Sequence, residues 1–322
     1  MAVASHALEG KLITLFGGGG FVGKHMAQAL MAAGARVRIA QRHPSRAYSI
    51  KALGNLGQCQ FVAVDATKAE SVAKAMIGSD AVINLIGILK GDFASAHVTT
   101  TRNIASAAAA IGAAMVQVSA IGADPDSPSA YGRSKAEAEA AARSAVPGAI
   151  ILRPSIIFGR DDQFINRFAG MIRSASALPL SPVPVVSGDT KFQPVFVGDV
   201  AAAAVAALAD PAAAGKTFEL GGPQQISMRD LLAWIGRTTG HQPLLIDVPA
   251  FAASALATAT GWLPGAPITR DQLAMLGRDN VVSDGANGLA QLGVAPTPLD
   301  AVAREWLDIY RPHGRFTKTS TA

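Results

Sequence analysis

Apolar and polar positions fall into alternating blocks through the first half of the chain. Short, mostly apolar, strand-like runs occur at Leu12–Phe16, Ala35–Ala40, Gln60–Val64, Ala81–Ile86, Ala113–Val118 and Ala149–Leu152. Between them lie longer stretches in which apolar residues recur every three or four positions, near Gly20–Ala33, Ala66–Ile77, Ser95–Ile111 and Tyr131–Ala145. The runs predict strands buried on both faces, and the stretches predict helices. Strand and helix in alternation predict an α/β fold, a Rossmann-type doubly wound parallel sheet covered on both faces. Ligands of such sheets bind beyond the C-terminal strand ends. After Arg153 the alternation loosens. Leu178-Pro179-Leu180-Ser181-Pro182-Val183-Pro184 reads as a proline-rich connector, and further helices are expected to start at Asp199, Ser227, Pro249, Thr269 and Pro298.

Composition agrees with a packed α/β protein. Half of the 322 residues are apolar and 16% are charged, enough apolar material for one large domain or two. The net charge of +5 comes without a Lys/Arg cluster on any predicted element, so no nucleic acid partner is expected. Cys59 is the single cysteine, which excludes an internal disulfide, fits a reducing compartment, and is expected to be a small packed residue. His6, His25, His43, His97, His241 and His313 show no metal-ligand spacing, and no metal is expected. Met1-Ala2-Val3-Ala4-Ser5 lacks the marks of a signal peptide. Ile104–Ala123 is uncharged, but its Ala, Gly and Ser content and Gln117 make it a helix end, a stop at Gly112 and a buried strand rather than a transmembrane span.

The candidate chemistry sits at the predicted strand ends. Gly17-Gly18-Gly19-Gly20-Phe21-Val22-Gly23 follows the first strand and opens a helix. Glycines there let backbone N–H groups approach a pyrophosphate at the positive end of the helix, so a dinucleotide is expected. The second strand ends in Ala40-Gln41-Arg42-His43, with no carboxylate for a ribose 2′-hydroxyl. Arg42 could instead pair with a 2′-phosphate, which points to NADP(H) over NAD(H). Asp65, before Ala66, could accept the adenine amino group or cap the next helix. Leu85-Ile86-Gly87 must pass near the cofactor ribose, and Val118-Ser119 ends the fifth strand. Tyr131-Gly132-Arg133-Ser134-Lys135 places a phenol and an amine on one helix face, where the amine is expected to lower the pKa of the phenol. Arg153-Pro154-Ser155-Ile156, after the sixth strand, could wall a nicotinamide pocket. Residues 1–155 are thus expected to form the dinucleotide-binding domain, completed by later segments. Residues 156–313 would be a mixed region closing the cleft, and 314–322 a flexible tail.

With these motifs the chain resembles the extended short-chain dehydrogenase/reductases. It is similar, more narrowly, to the atypical branch that includes the NDUFA-nine-like accessory subunit of respiratory complex I. The narrower resemblance rests on Phe16–Gly23, Ser155–Asp162, Asn166-Arg167-Phe168 and Phe192-Gln193-Pro194-Val195-Phe196-Val197-Gly198-Asp199-Val200. It implies catalytic-type roles for Tyr131, Lys135 and Ser119. Ser119-Ala120-Ile121-Gly122, however, has apolar residues where the superfamily keeps its catalytic serine, which removes a contact that polarises a carbonyl. The resemblance implies that relatives keep a bound NADPH largely as a structural or sensing ligand.

Two functions follow. One is an NADP(H)-holding accessory or assembly component of complex I or a quinone-related (ubiquinone) assembly. The other is an active NADP(H)-dependent reductase or epimerase working on a small carbonyl or sugar-like substrate. The expected location is cytoplasmic, peripheral on the cytoplasmic face of the inner membrane. Pro249–Leu263 is uncharged and too short to span a bilayer. It is either a buried helix or an apolar docking face with Trp262 at the interface.

Overall fold

The computed structural model describes residues 8–261, 268–312 and 314. Trp262, Leu263, the first seven residues and 315–322 lie outside the described residues. Seven parallel strands form one sheet: β1 (Leu12–Phe16), β2 (Arg36–Gln41), β3 (Cys59–Ala63), β4 (Ala81–Asn84), β5 (Ala114–Val118), β6 (Ile150–Pro154) and β7 (Thr217–Leu220). Their spatial order is β7-β6-β5-β4-β1-β2-β3. The order reverses at β1, which pairs with β2 on one side and β4 on the other. That reversal opens a crevice at the C-terminal strand ends.

The chain divides into two compact units. The sheet unit runs to Pro154 and takes in Val197–Gly221 and Val282–Pro296; the second unit holds Ser155–Phe196, Gly222–Val281 and the residues from Thr297 on. In the sheet unit α1 (Phe21–Ala32) turns Met26, Ala27, Leu30 and Met31 inward. It packs on a later helix of small residues, Val197–Ala209, whose buried alanines permit close approach. The helices α2 (Ala69–Met76), α3 (Thr100–Ile111) and α4 (Ala130–Ala145) pack in a row and share a core with Phe16, Val82, Met115 and Ile151. Gly112, in the left-handed region at φ 67°, ends α3 as the uncharged stretch predicts.

Several features depart from the periodicity. The span predicted as one helix from Ser95 begins with a π-helical turn, Ala94–Thr99. The strand β7 was not anticipated, because Glu219 interrupts its apolar run. The connector at Pro182 holds a short strand, Pro182–Val185, paired in parallel with Leu244–Asp247, after a turn with Leu180 and Ser181 at positive φ. Cys59 opens β3 half-buried, and burial pushes its thiol pKa up.

The second unit has its own core, with Phe158, Phe192, Leu231, Ile235 and Trp306. It includes α5 (Ile165–Ala175), which the periodicity missed. The buried Asp162 carboxylate accepts the amides of Phe164 (2.9 Å), Ile165 (2.6 Å) and Asn166 (3.2 Å) at the start of that helix. The expected helix starts are met here: Ser227 caps the helix Met228–Thr238, Pro249 precedes Ala250–Thr260, and Thr269 forms a capping box with Gln272. Among the described residues no helix is long and apolar enough to cross a membrane, and no group of three or more His, Cys, Asp or Glu could hold a metal.

Candidate nucleotide site

The glycine turn is built as a cradle. Gly17 reverses the chain at φ 78°, its N–H donating to the Ala40 carbonyl at 3.1 Å, and Gly20 N–H closes the turn on the Gly17 carbonyl at 3.1 Å. Any Cβ on Gly23 would strike the Gly18 carbonyl, so only glycine lets α1 start against the turn. Gly20 caps α1 without a side chain, and no acidic residue occupies the first turn. The amides of Phe21 and Val22 therefore have no intrahelical acceptor and stand at the positive end of the helix.

Around this cradle the expected cofactor contacts are partly reassigned. Gln41 braces the turn: its Oε1 accepts Gly19 N–H at 2.9 Å and its Nε2 donates to the His43 carbonyl at 2.7 Å. Both ends of the amide are thus engaged within the protein. Arg42 is exposed at the end of β2. Asp65 does not cap α2, whose N-cap is Lys68. Its Oδ1 instead accepts the Thr67 hydroxyl at 2.7 Å and amide at 3.1 Å, which hold the carboxyl below its ordinary pKa. Asn103 Nδ2, not foreseen, holds the Ala66 carbonyl at 3.0 Å.

At the ends of β4 and β5 a buried polar chain forms. Asn84 Nδ2 donates to Gln117 Oε1 at 2.9 Å and to Thr101 Oγ1 at 3.0 Å, and Asn84 Oδ1 accepts Ile86 N–H at 3.0 Å. Gln117 Nε2 and Lys135 Nζ both donate to the Val118 carbonyl, at 3.1 and 2.9 Å. Lys135 is buried, and loss of hydration lowers its pKa to about 8, Glu139 opposing. The half-buried Tyr131 goes the other way from the expectation: loss of hydration pushes its phenol up to about 12. The Lys135 ammonium is committed to Val118, and burial governs the phenol. The Ser119 hydroxyl is 95% buried (5% exposed) and has no hydrogen-bond partner.

His97, which no motif singles out, is buried in the π-helical turn against this cluster. Its ring stacks on Phe93 at 5.5 Å and meets Tyr131 edge-on at 5.5 Å. A lone histidine without metal spacing carries no sequence signal, since its partners are distant in the chain.

Arg153 is engaged in ion pairs within the sheet unit. Its guanidinium forms a bidentate pair with Glu139 at 2.9 and 2.7 Å and reaches Glu219 at 3.6 Å. The Pro154 carbonyl accepts Ile121 N–H at 3.0 Å. In the second unit Ser155 Oγ donates to Asn280 at 2.8 Å (carbonyl) or 2.7 Å (Oδ1), and the Ile156 carbonyl accepts Val195 N–H at 2.9 Å. Beside Ser134 a cavity of about 320 Å³ is lined by Phe93, Pro125, Ala130, Arg133 and Glu137.

A sheet order reversing at β1, a glycine turn there and Tyr131 with Lys135 on one helix form a familiar set, and residues 13–221 match the NAD dependent epimerase/dehydratase family. The chain belongs to that family. Within it, the chain is 36% identical to mouse (Mus musculus) NADH dehydrogenase (ubiquinone) 1 alpha subcomplex subunit 9, mitochondrial, over 95% of this chain and 82% of that protein. The Arabidopsis thaliana protein of the same name is 34% identical, over 96% of this chain and 80% of its own length. Among solved structures, Escherichia coli NADPH-dependent quinone oxidoreductase QOR2 complexed with NADPH superimposes with a TM-score of 0.72 at 20% identity, covering 91% of this chain and 99% of that one. At that identity the likeness shows the fold. As a member of the epimerase/dehydratase family, the chain carries an NAD(P)-binding Rossmann fold. Its residues fit such a nucleotide: the Phe21 and Val22 amides at the start of α1 have no intrahelical acceptor and no side-chain cap, the turn is glycine where a Cβ would intrude, and the Ser119 hydroxyl is buried without a partner.

Proposed function

We propose that the protein holds NADP(H) as a largely structural ligand and serves as an accessory or assembly component of respiratory complex I or a related quinone-associated assembly. The observation that carries this is the state of the Tyr131–Lys135 pair. The phenol is held protonated far above neutrality, and the amine bonds a backbone carbonyl rather than lowering the pKa of the phenol. With apolar residues after Ser119, that is an arrangement for holding a nucleotide rather than for turnover. Likeness to two proteins named as subunits of NADH dehydrogenase supports the assembly. Gly17–Gly23 would cradle the pyrophosphate, Asp65 and Ala66 would border the adenine, Leu85–Gly87 and Val118-Ser119 would border the ribose and nicotinamide, and Arg42 would pair with the 2′-phosphate. Lys135 would trade its Val118 contact for the nicotinamide ribose.

Attachment would be peripheral, on the cytoplasmic face of the inner membrane. Helix Ala250–Thr260 turns Ala253 and Ala257 inward and leaves Phe251 77% and Leu256 44% exposed. That is an uncharged apolar surface suited to a membrane subunit.

A specific observation favours a second function. Tyr131 and Lys135 are both kept, and a cavity adjoins their helix at Ser134. Bound NADPH would supply a hydride to a small carbonyl or sugar-like substrate, with Tyr131 Oη giving the proton to the carbonyl oxygen. Native membranes separate the two. Co-purification of the wild type in a large complex, with release by Phe251→Asp, is the expected result. A wholly soluble protein that oxidises NADPH with a carbonyl, and stops doing so as Tyr131→Phe, would overturn it.

The cofactor preference is tested apart from the assembly. NADP(H) should bind more tightly than NAD(H), and Arg42→Ala should erase the difference, a loss of about 1.5–3 kcal/mol for a charged phosphate contact. Equal calorimetric affinities in the wild type would remove the preference.

A further inference from the structure

We infer that His97 is a positioning residue for the nucleotide site, fixing the Gly87 turn through its Nε2 acceptor. The inference rests on the nucleotide binding proposed above. The hydrogen bonds set the tautomer. Ser134 Oγ donates its proton to the Tyr131 carbonyl at 2.8 Å, so at 2.8 Å from His97 Nδ1 it can only accept. The Nδ1 therefore carries the hydrogen, and Nε2 accepts Ile88 N–H at 3.0 Å.

That contact closes a frame. Asn84 Oδ1 holds the Ile86 amide, and His97 Nε2 holds the Ile88 amide. Gly87 is exposed between them. A Cβ on Gly87 would stand 3.9 Å from His97 Nε2 and 4.0 Å from Lys135 Nζ, so the turn, the ring and the amine meet at one point. Through Ser134, His97 also touches the α4 turn that carries Tyr131 and Lys135. One ring thus ties the loop after β4 to the helix of the phenol and amine. A protonated ring would set N–H against N–H at Ile88 and a second cation beside Lys135. Burial and Lys135 accordingly hold its pKa down to about 4.

Two substitutions separate the nitrogens. In His97→Asn the short amide can still reach Ser134 but not Ile88. In His97→Gln the longer amide places an oxygen near the Nε2 position. NADPH is titrated calorimetrically into the full chain, with amide hydrogen exchange followed across Leu85–Gly91. Loss of the acceptor should weaken NADPH binding about tenfold in His97→Asn, the worth of one buried hydrogen bond, and speed exchange in that loop. His97→Gln should stay within about threefold of wild type on the same scale. If both variants weaken alike, or neither does while wild type binds, the inference is wrong and the nucleotide proposal survives. If wild type does not bind NADPH, both fall together. Should His97→Asn not fold, Ser134→Ala decides. It removes the Nδ1 partner and leaves the Ile88 bond, so wild-type affinity is expected and a tenfold loss overturns the inference.

Discussion

Lys135 and Glu139 lie one turn apart on α4, both buried, in surroundings built on opposite plans. Around Glu139 the carboxylates share a cation. Arg153 grips it with two hydrogen bonds and also reaches Glu219, whose second oxygen accepts the Ser283 amide at 2.8 Å. Around Lys135 a carbonyl takes the ammonium, a neutral imidazole stands where a counter-charge would help, and the Ser119 hydroxyl has no partner. The first centre fastens α4 to β6 and β7. The second keeps polar groups short of partners at the open end of the sheet, at a cost in stability that a ligand can offset. Perturbed titration and an orphaned hydroxyl mark the candidate site; a dense ion-pair network does not.

The largest effect should come from breaking the fastener. Arg153→Met leaves two buried carboxylates without their cation and should lower the unfolding free energy by about 3–5 kcal/mol in urea denaturation. A loss below about 1 kcal/mol would put this centre in the class of exposed surface pairs.

Next comes the pH dependence of the other centre. His97 titrates near 4 when folded and near 6.5 when unfolded, so between these values the unfolded chain binds the extra proton. Stability should fall as pH drops from 6.5 to 4, by about 3 kcal/mol in all. Lys135 is displaced in the same sense, from 10.5 to about 8, so stability should climb from pH 8 towards 10. Above 10 Tyr131 opposes the climb, because the unfolded phenol ionises first. Melting temperatures across this range check the curve, and an acid limb of opposite slope would contradict a neutral buried His97.

The smallest stability effect should have the opposite sign. Lys135→Met removes a poorly compensated buried cation and should stabilise the empty protein by about 1–2 kcal/mol. Destabilisation by that amount would make Lys135 a structural residue like Arg153.

Much of the fold was legible because parallel strands covered on both faces read as largely apolar runs, and six of the seven sheet strands broadly do, though Arg36 and Arg38 interrupt β2. The seventh hides behind Glu219, whose match with Arg153 and Glu139 cannot be seen locally. α5 escaped because Asp162, which satisfies its first amides, lies outside the helix and reads as part of a charged loop. In the site, the glycine turn, Tyr131 and Lys135 were legible from spacing, since a turn and one helix bring them together. His97 was not, because Ile88 and Ser134 come from other elements. The bracing role of Gln41 was not legible either, because its partners Gly19 and His43 meet it only once the turn and the end of β2 are folded together.

The account stands on the Lys135 centre being a nucleotide site. Calorimetric titration of NADPH into the full chain, beside Lys135→Met, tests this most directly. Saturable binding by the wild type, with binding lost in a variant at least as stable, is the predicted result. No binding by the folded wild type, or equal binding by both, would contradict it.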